Sequence, residues 1–168
     1  GKRIYFEAYG EDNQTVLLYL HGGPGASCLD FQRQARKLGQ WFHVIATDQY
    51  GVLRSDAIPD DETYGMEKQI HLFEQMRVQL GVKSWSLLGH SYGGMLACLY
   101  ADLFPGSIRT VIYECPCFCF SLSTKSVAVY LSGYFRDSQN PDGVQLCQEI
   151  LHKVYEKNDK SAAEDMLH

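Results

Sequence analysis

The feature that most restricts the fold of this chain is the pentapeptide Gly89-His90-Ser91-Tyr92-Gly93. It joins a β-type run, Ser84 to Leu88, to a helix-forming stretch from Ser91 to Phe104 that is stopped by Pro105-Gly106. A turn that leads a strand straight into a helix crowds the two backbones. Its flanking residues must then be small, a need met by Gly89 and Gly93. Glycine-rich turns of this kind also bind phosphate at a helix N-terminus, so the other motifs must decide between the two uses.

Elsewhere, strand and helix patterns alternate. Lys2 to Ala8 reads as a strand and Gly10-Glu11-Asp12-Asn13 as a turn. The unbroken apolar run Val16-Leu17-Leu18-Tyr19-Leu20 reads as a buried strand. Ser27 to Leu38, with Leu29, Phe31, Ala35 and Leu38, predicts a helix, and His43 to Thr47 a short strand closing at Asp48. After a polar loop, Asp56 to Glu62, the stripe Met66, Ile70, Phe73 and Leu80 predicts a helix over Met66 to Leu80, ended by Gly81. Ile108 to Tyr113 is the next strand. This alternation predicts a mostly parallel sheet with helices on both faces and right-handed crossovers. From Cys115 the pattern changes, with no strand signal and with candidate helices at Val144 to Glu156 and Ser161 to His168. Residues 1–116 are therefore expected to form the N-terminal part of a core, and residues 117–168 part of a helical cap inserted after the sixth strand.

The chain's 168 residues suffice for one domain that buries about 70% of its unfolded surface. Hydrophobic residues make up 45% and charged residues 21%, and no run is long and apolar enough to span a bilayer. A net charge of -5 without a basic cluster argues against nucleic-acid and membrane partners and for a small-molecule or short-peptide ligand. No export signal opens the chain, so the cytoplasm is the default location. The six cysteines are expected to be thiols. Cys115-Pro116-Cys117-Phe118-Cys119 lacks the paired spacing of a zinc site, so neither metal nor cofactor is expected.

Ser91, lifted out of a strained turn, is the candidate nucleophile. His21-Gly22-Gly23-Pro24-Gly25 follows the buried strand, which places its backbone at a carboxyl end, where open α/β sheets bind ligands. Backbone amides there can hold the oxyanion of an acyl-transfer intermediate, each contributing about 3 kcal/mol. The expected donors are Gly23 and Tyr92, with Gly22 as a substitute. Taken with Asp48-Gln49-Tyr50-Gly51 and Arg54-Ser55, these motifs resemble the proline iminopeptidase family, which includes the tricorn-interacting aminopeptidase, over roughly residues 15 to 115. The resemblance implies an α/β-hydrolase fold, a cofactor-free serine peptidase that removes an N-terminal residue, and support of the oxyanion loop by His21, Gly22, Asp48, Gln49 and Arg54. The Gly-His-Ser form is also common in esterases and lactonases, which makes an esterase or lactonase of the same fold the alternative. A non-catalytic scaffold that binds a ligand or partner is the alternative of another class.

In this fold the triad runs Ser, Asp or Glu, then His. After Ser91 only His152 and His168 remain, both in expected cap helices and both read as solvated. His90 is expected to pack at the turn, its side chain away from the nucleophile. Glu114, ending the sixth strand, is the one candidate acid. Phe118 and Phe120 are expected to line an acyl pocket or pack under the cap, and Glu149, Glu156, Glu164 and Asp165 to form a solvated face. The remaining strands, acid and histidine are expected from a C-terminal part of the fold, in the same or a second chain, because the edge of Ile108 to Tyr113 would otherwise stay unpaired.

Overall fold

In the computed structural model, which describes residues 2–156, the continuous apolar run forms strand β2 (Val16–Leu20), buried along its whole length. Its side chains alternate between two apolar clusters. Val16, Leu18 and Leu20 enter one, while Leu17 and Tyr19 enter the other. Burial on both faces is why no polar residue interrupts the run.

β2 lies between β3 (His43–Thr47) and β4 (Trp85–His90), parallel to both. β1 (Phe6–Tyr9) pairs antiparallel with β3, and β5 (Ile108–Glu114) parallel with β4, so the order is β1-β3-β2-β4-β5. Helices α2 (Met66–Gln79) and α3 (Tyr92–Leu103) send Ile70, Phe73, Met76, Leu96, Ala97 and Tyr100 onto one face. On the other face, Phe31 and Ala35 of the segment containing α1 (Gln32–Leu38) meet Leu17, Tyr19, Val44 and Ala46. This is the α/β-hydrolase arrangement, in part. β5 is less covered than its neighbours, with Ile112 and Tyr113 43% and 42% exposed.

Several elements differ from the sequence expectation. The first strand begins at Phe6 rather than Lys2, because the Arg3 and Tyr5 amides donate to Asp56 Oδ2 and Ser55 Oγ (2.8 and 2.9 Å). The helix expected over Ser27 to Leu38 opens as a 3₁₀ turn, Cys28–Phe31, before α1. Asp48 Oδ1 takes the Cys28 amide (3.0 Å), and Leu29 faces outward. The strand expected as the sixth is the fifth among the described residues.

The fourth difference is α4 (Phe120–Asp137), a long helix that periodicity does not reveal. Its buried positions are Thr124, Ala128 and Ser132, a row of small residues at helical spacing. The next helix, α5 (Pro141–Glu156), starts three residues before the expected Val144. Asn140 Oδ1 accepts the Gly143 amide (3.0 Å), and Pro141 sits just inside the helix start. The helix expected at Ser161 to His168 lies outside the described residues. The chain divides into two compact units, Gly1–Cys117 and Phe118–His168, the second containing α4 and α5. Among the described residues no helix is long and apolar enough to cross a membrane.

Phe73 anchors the larger cluster, fully buried and stacked on Tyr100 with ring centres 6.5 Å apart. Phe73→Ala is expected to lower unfolding free energy by about 3–5 kcal/mol, measured by denaturant titration. Val78→Ala, on the exposed side of the same helix, is expected to stay within about 0.5 kcal/mol.

Candidate active site

β2 leads onward to β3 on one side of the sheet, whereas β4 leads to β5 on the other. Neighbouring strands whose connections part in this way leave a crevice at their carboxyl ends, where open α/β sheets place ligands. The segment His21–Gly25 leaves β2 there, and Ser91 leaves β4.

Ser91 has φ 51° and ψ -114°, a left-handed region that costs a non-glycine residue about 1–3 kcal/mol. Backbone hydrogen bonds hold it in place. Its N–H donates to the Glu114 carbonyl (3.1 Å), and its own carbonyl accepts the amides of Gly94 (3.0 Å) and Cys117 (2.9 Å). Helix α3 begins at the next residue and presses on the end of β2, so that a Cβ on Gly93 would lie 2.0 Å from the Leu20 carbonyl oxygen. The glycine loop closes in from the other direction. A Cβ on Gly22 would stand 3.2 Å from Ser91 Cβ and 3.0 Å from the His90 ring. Gly23, at φ 117°, occupies backbone space that a side chain would strain.

The loop is tied down by a neutral histidine. His21 is wholly buried, and its Nε2 accepts the Gln49 amide (3.0 Å) while the Gln49 side chain donates to the His21 carbonyl (2.9 Å). A ring nitrogen that accepts carries no proton, so the proton sits on Nδ1, 2.8 Å from the Gly22 carbonyl oxygen. Burial holds the His21 pKa below its ordinary value, against the smaller upward pull of the Gly22 carbonyl and nearby carboxylates.

Asp48 serves the segment that follows. Its carboxylate, also wholly buried, accepts the Cys28 amide and the Arg54 guanidinium (Nε to Oδ2, 2.7 Å). Burial alone would raise its pKa, but Arg54 and the Cys28 amide outweigh this and hold it below the usual carboxylate range. Arg54 reaches on to Glu7 of β1 (2.7 Å) and lies 3.9 Å over the Tyr5 ring, partners that sequence motifs did not suggest. Burial, together with Asp48, pushes the Cys28 thiol up to about 12, so it stays protonated.

His90 is partly exposed, its ring beside Gly22 and its Nδ1 3.3 Å from Glu114 Oε2, outside hydrogen-bonding geometry. The Glu114 side chain is 56% exposed, while its backbone carbonyl receives Ser91. In the second unit Phe118 is exposed, and Glu149 accepts from Gln145 on an exposed face. His168, Glu164 and Asp165 lie outside the described residues. A cavity of ≈ 400 Å³ beside the turn is lined by Pro24, Gly25, Tyr50, Tyr64, Gln69 and Tyr92 among others. Sequence reasoning passed over Gln69, whose one signal was a polar residue on the apolar side of α2.

The family model described as alpha/beta hydrolase fold matches residues 15–144. The chain belongs to the α/β-hydrolase family. Among curated proteins, this α/β-hydrolase is 36% identical over 134 residues to a proline iminopeptidase of Lactobacillus helveticus, covering 76% of this chain and 45% of that one. It is 32% identical over 118 residues to a proline iminopeptidase of Heyndrickxia coagulans, covering 70% and 41%. A solved proline iminopeptidase-related protein from Thermus thermophilus superposes with a TM-score of 0.70 at 25% identity, over 77% of this chain and 46% of the other. A marine microorganism esterase gives 0.60 at 25% identity, over 67% and 41%. The chain thus spans less than half the length of these relatives.

Gly93→Ala is expected to destabilise the α/β-hydrolase by about 3 kcal/mol or more, because only backbone can yield around the new methyl. Gly106→Ala, in open space, is the control, with unfolding by denaturant as the readout. His21 predicts a pH response of definite sign. With its native pKa below the unfolded value of about 6.5, the unfolded chain takes up the proton first. Stability is then full above about pH 6.5 and falls as pH drops from there towards the native pKa. Thermal unfolding across this range checks it, and the slope is expected to shrink in His21→Gln.

Proposed function

We propose that the complete protein is a serine hydrolase acting through an acyl-enzyme on small peptides or aminoacyl amides, as an aminopeptidase of the proline iminopeptidase type. The observation that carries this reading is the strained backbone of Ser91, set between β4 and α3 with the Gly22 backbone against its Cβ. A non-glycine residue held at positive φ at a strand-to-helix turn carries backbone strain of the kind that clusters at active sites. Its use is to present a hydroxyl at the crevice.

In the reaction, Ser91 Oγ attacks the substrate carbonyl carbon while a histidine takes the hydroxyl proton. The carbonyl oxygen becomes an oxyanion and receives the N–H groups of Gly23 and Tyr92. The C–N bond then breaks, the amine leaves with the proton held by the histidine, and water hydrolyses the acyl-enzyme by the same steps. His21, Gln49 and Asp48 act on this site as positioning residues. The His21–Gln49 bonds hold the start of the glycine loop, and the Asp48 bond to the Cys28 amide holds the segment that follows it.

The acid and the histidine are assigned to strands laid beyond β5, in the same chain or a second one. The half-exposed Ile112 and Tyr113 of β5 support this, as do curated relatives more than twice the length of the match. Glu114 is the poorer acid, since its carboxylate is largely exposed and turned towards His90. The second unit is proposed as part of a cap.

A fluorophosphonate is expected to label Ser91 in the full-length protein and to leave Ser91→Ala unlabelled at an unchanged melting temperature. Turnover of prolyl and other aminoacyl arylamides is expected to fall by about 10³-fold or more in that variant. Folded full-length protein with an unlabelled Ser91 would overturn the reading in favour of a binding scaffold. Turnover confined to short esters or lactones would replace the aminopeptidase by an esterase.

A further inference from the structure

His90 and Glu114 end neighbouring strands, and the register of β4 with β5 sets them side by side. Side chains alternate along a strand, so His90 shares the sheet face of Leu88, which packs on the cluster of Leu17 and Tyr19. Neither the packing expected of His90 nor the acid role expected of Glu114 explains one detail of this pair. His90 Nδ1 is buried and makes no hydrogen bond among the described residues, although Glu114 Oε2 stands 3.3 Å away. A buried polar atom without a partner is costly to keep. The Glu114 side chain, 56% exposed, has room to turn towards it. A carboxylate only accepts, so the bond requires a proton on Nδ1.

The opposite edge of the ring meets the glycine loop. Cδ2 lies across Cγ from Nδ1, and a Cβ on Gly22 would come within 3.0 Å of it and 3.2 Å of Ser91 Cβ. The ring therefore stands between Glu114 and Gly22, and its orientation sets how near the loop comes to the Ser91 turn. On its other side the loop is fastened to Gln49 through His21 (3.0 and 2.9 Å). Glu114 already holds the turn by its backbone, since its carbonyl accepts the Ser91 amide (3.1 Å). A bond from His90 to its carboxylate joins the two places where oxyanion donors are proposed, Gly23 one residue past Gly22 and Tyr92 one residue past Ser91.

We infer that His90 is a positioning residue: its Nδ1–H donates to the Glu114 carboxylate, and the ring held by that bond sets the spacing between the glycine loop and the nucleophile turn. The inference rests on the proposed hydrolase and deepens it, assigning Glu114 to the support of the oxyanion donors and not to the proton relay. A positioning residue touches no reacting atom. Loss of the bond misplaces the Gly23 amide, which meets charge only in the transition state, so the effect falls on kcat and leaves KM nearly as it was.

Two variants of the full-length protein, assayed on a prolyl arylamide, separate shape from hydrogen bonding. His90→Phe keeps a ring and removes the donor, whereas His90→Asn gives up the ring and sets an amide N–H near the Nδ1 position. His90→Phe is expected to lower kcat about tenfold or more, and His90→Asn to recover most of that loss. Glu114→Leu is expected to match His90→Phe, Glu114→Gln to lose less because it keeps an acceptor, and the double variant His90→Phe/Glu114→Leu to fall no lower than either alone. An active His90→Phe beside an inactive His90→Asn would make the ring a filler and overturn the inference, as would losses that multiply in the double variant. Equal and complete loss in Glu114→Gln and Glu114→Leu would also overturn it, returning Glu114 to the triad. Should His90→Phe fail to fold, the exposed Glu114 carries the test. Imidazole ¹⁵N NMR of full-length Ser91→Ala reads the pair without turnover. The proton is expected on His90 Nδ1, and Glu114→Leu is expected to shift both that signal and the Gly23 amide; a bare Nδ1 or an unmoved Gly23 would overturn the inference. Fluorophosphonate labelling separates the two ideas. Unlabelled protein that shows the Nδ1 proton and the Gly23 shift loses the hydrolase and keeps the pair, whereas labelled protein with a bare Nδ1 does the reverse.

Discussion

The structure around the crevice depends on how closely helix α3 can approach the end of β2. Gly93 rests against the carbonyls of Leu20 and His21 with no room for a single added carbon. That approach sets the height of the helix start, and with it the backbone of Ser91, which has to climb from the sheet into the helix within one residue. The left-handed φ at Ser91 is the geometric result of this closeness. The bonds donated by the Gly94 and Cys117 amides, and the one Ser91 donates to the Glu114 carbonyl, hold that conformation against its tendency to relax. Strain of this kind persists only where several contacts determine it together.

Two loops meet this turn, and each is fastened by different physics. The loop after β2 is held by an uncharged ring: His21 is kept neutral by burial and exchanges hydrogen bonds with Gln49 on both its ring and its carbonyl. The segment that follows is held by charge, through Asp48 and Arg54, with Glu7 of β1 extending the network to the sheet edge. The division suits the surroundings. The Asp48 carboxylate is wholly buried and paired, whereas the Arg54 side chain, partly exposed, keeps some contact with water.

Much of this was legible in the sequence, for reasons that can be named. β2 and β3 were readable to the residue because strands buried on both faces leave unbroken apolar runs, and the turn at Ser91 because small residues there are a steric necessity. The start of β1 was not readable, since its amides go to Ser55 and Asp56, residues some fifty positions away. Helix α4 was hidden because it packs through Thr124, Ala128 and Ser132, which carry no hydrophobic signature. Gln69 and the Arg54 to Glu7 contact were missed for a common reason. Each is a tertiary pairing of polar groups that periodicity does not encode, and only the fold brings the partners together.

The direction of β5 has a consequence of its own. β2, β3, β4 and β5 all run the same way, so the rim holding Ser91 is shared by every one of their carboxyl ends. Any strand added to the open margin of β5 in the same sense must release its following loop onto that rim. A residue at the carboxyl end of such a strand would therefore share the rim without a change of layer, its distance from Ser91 counted in strand widths.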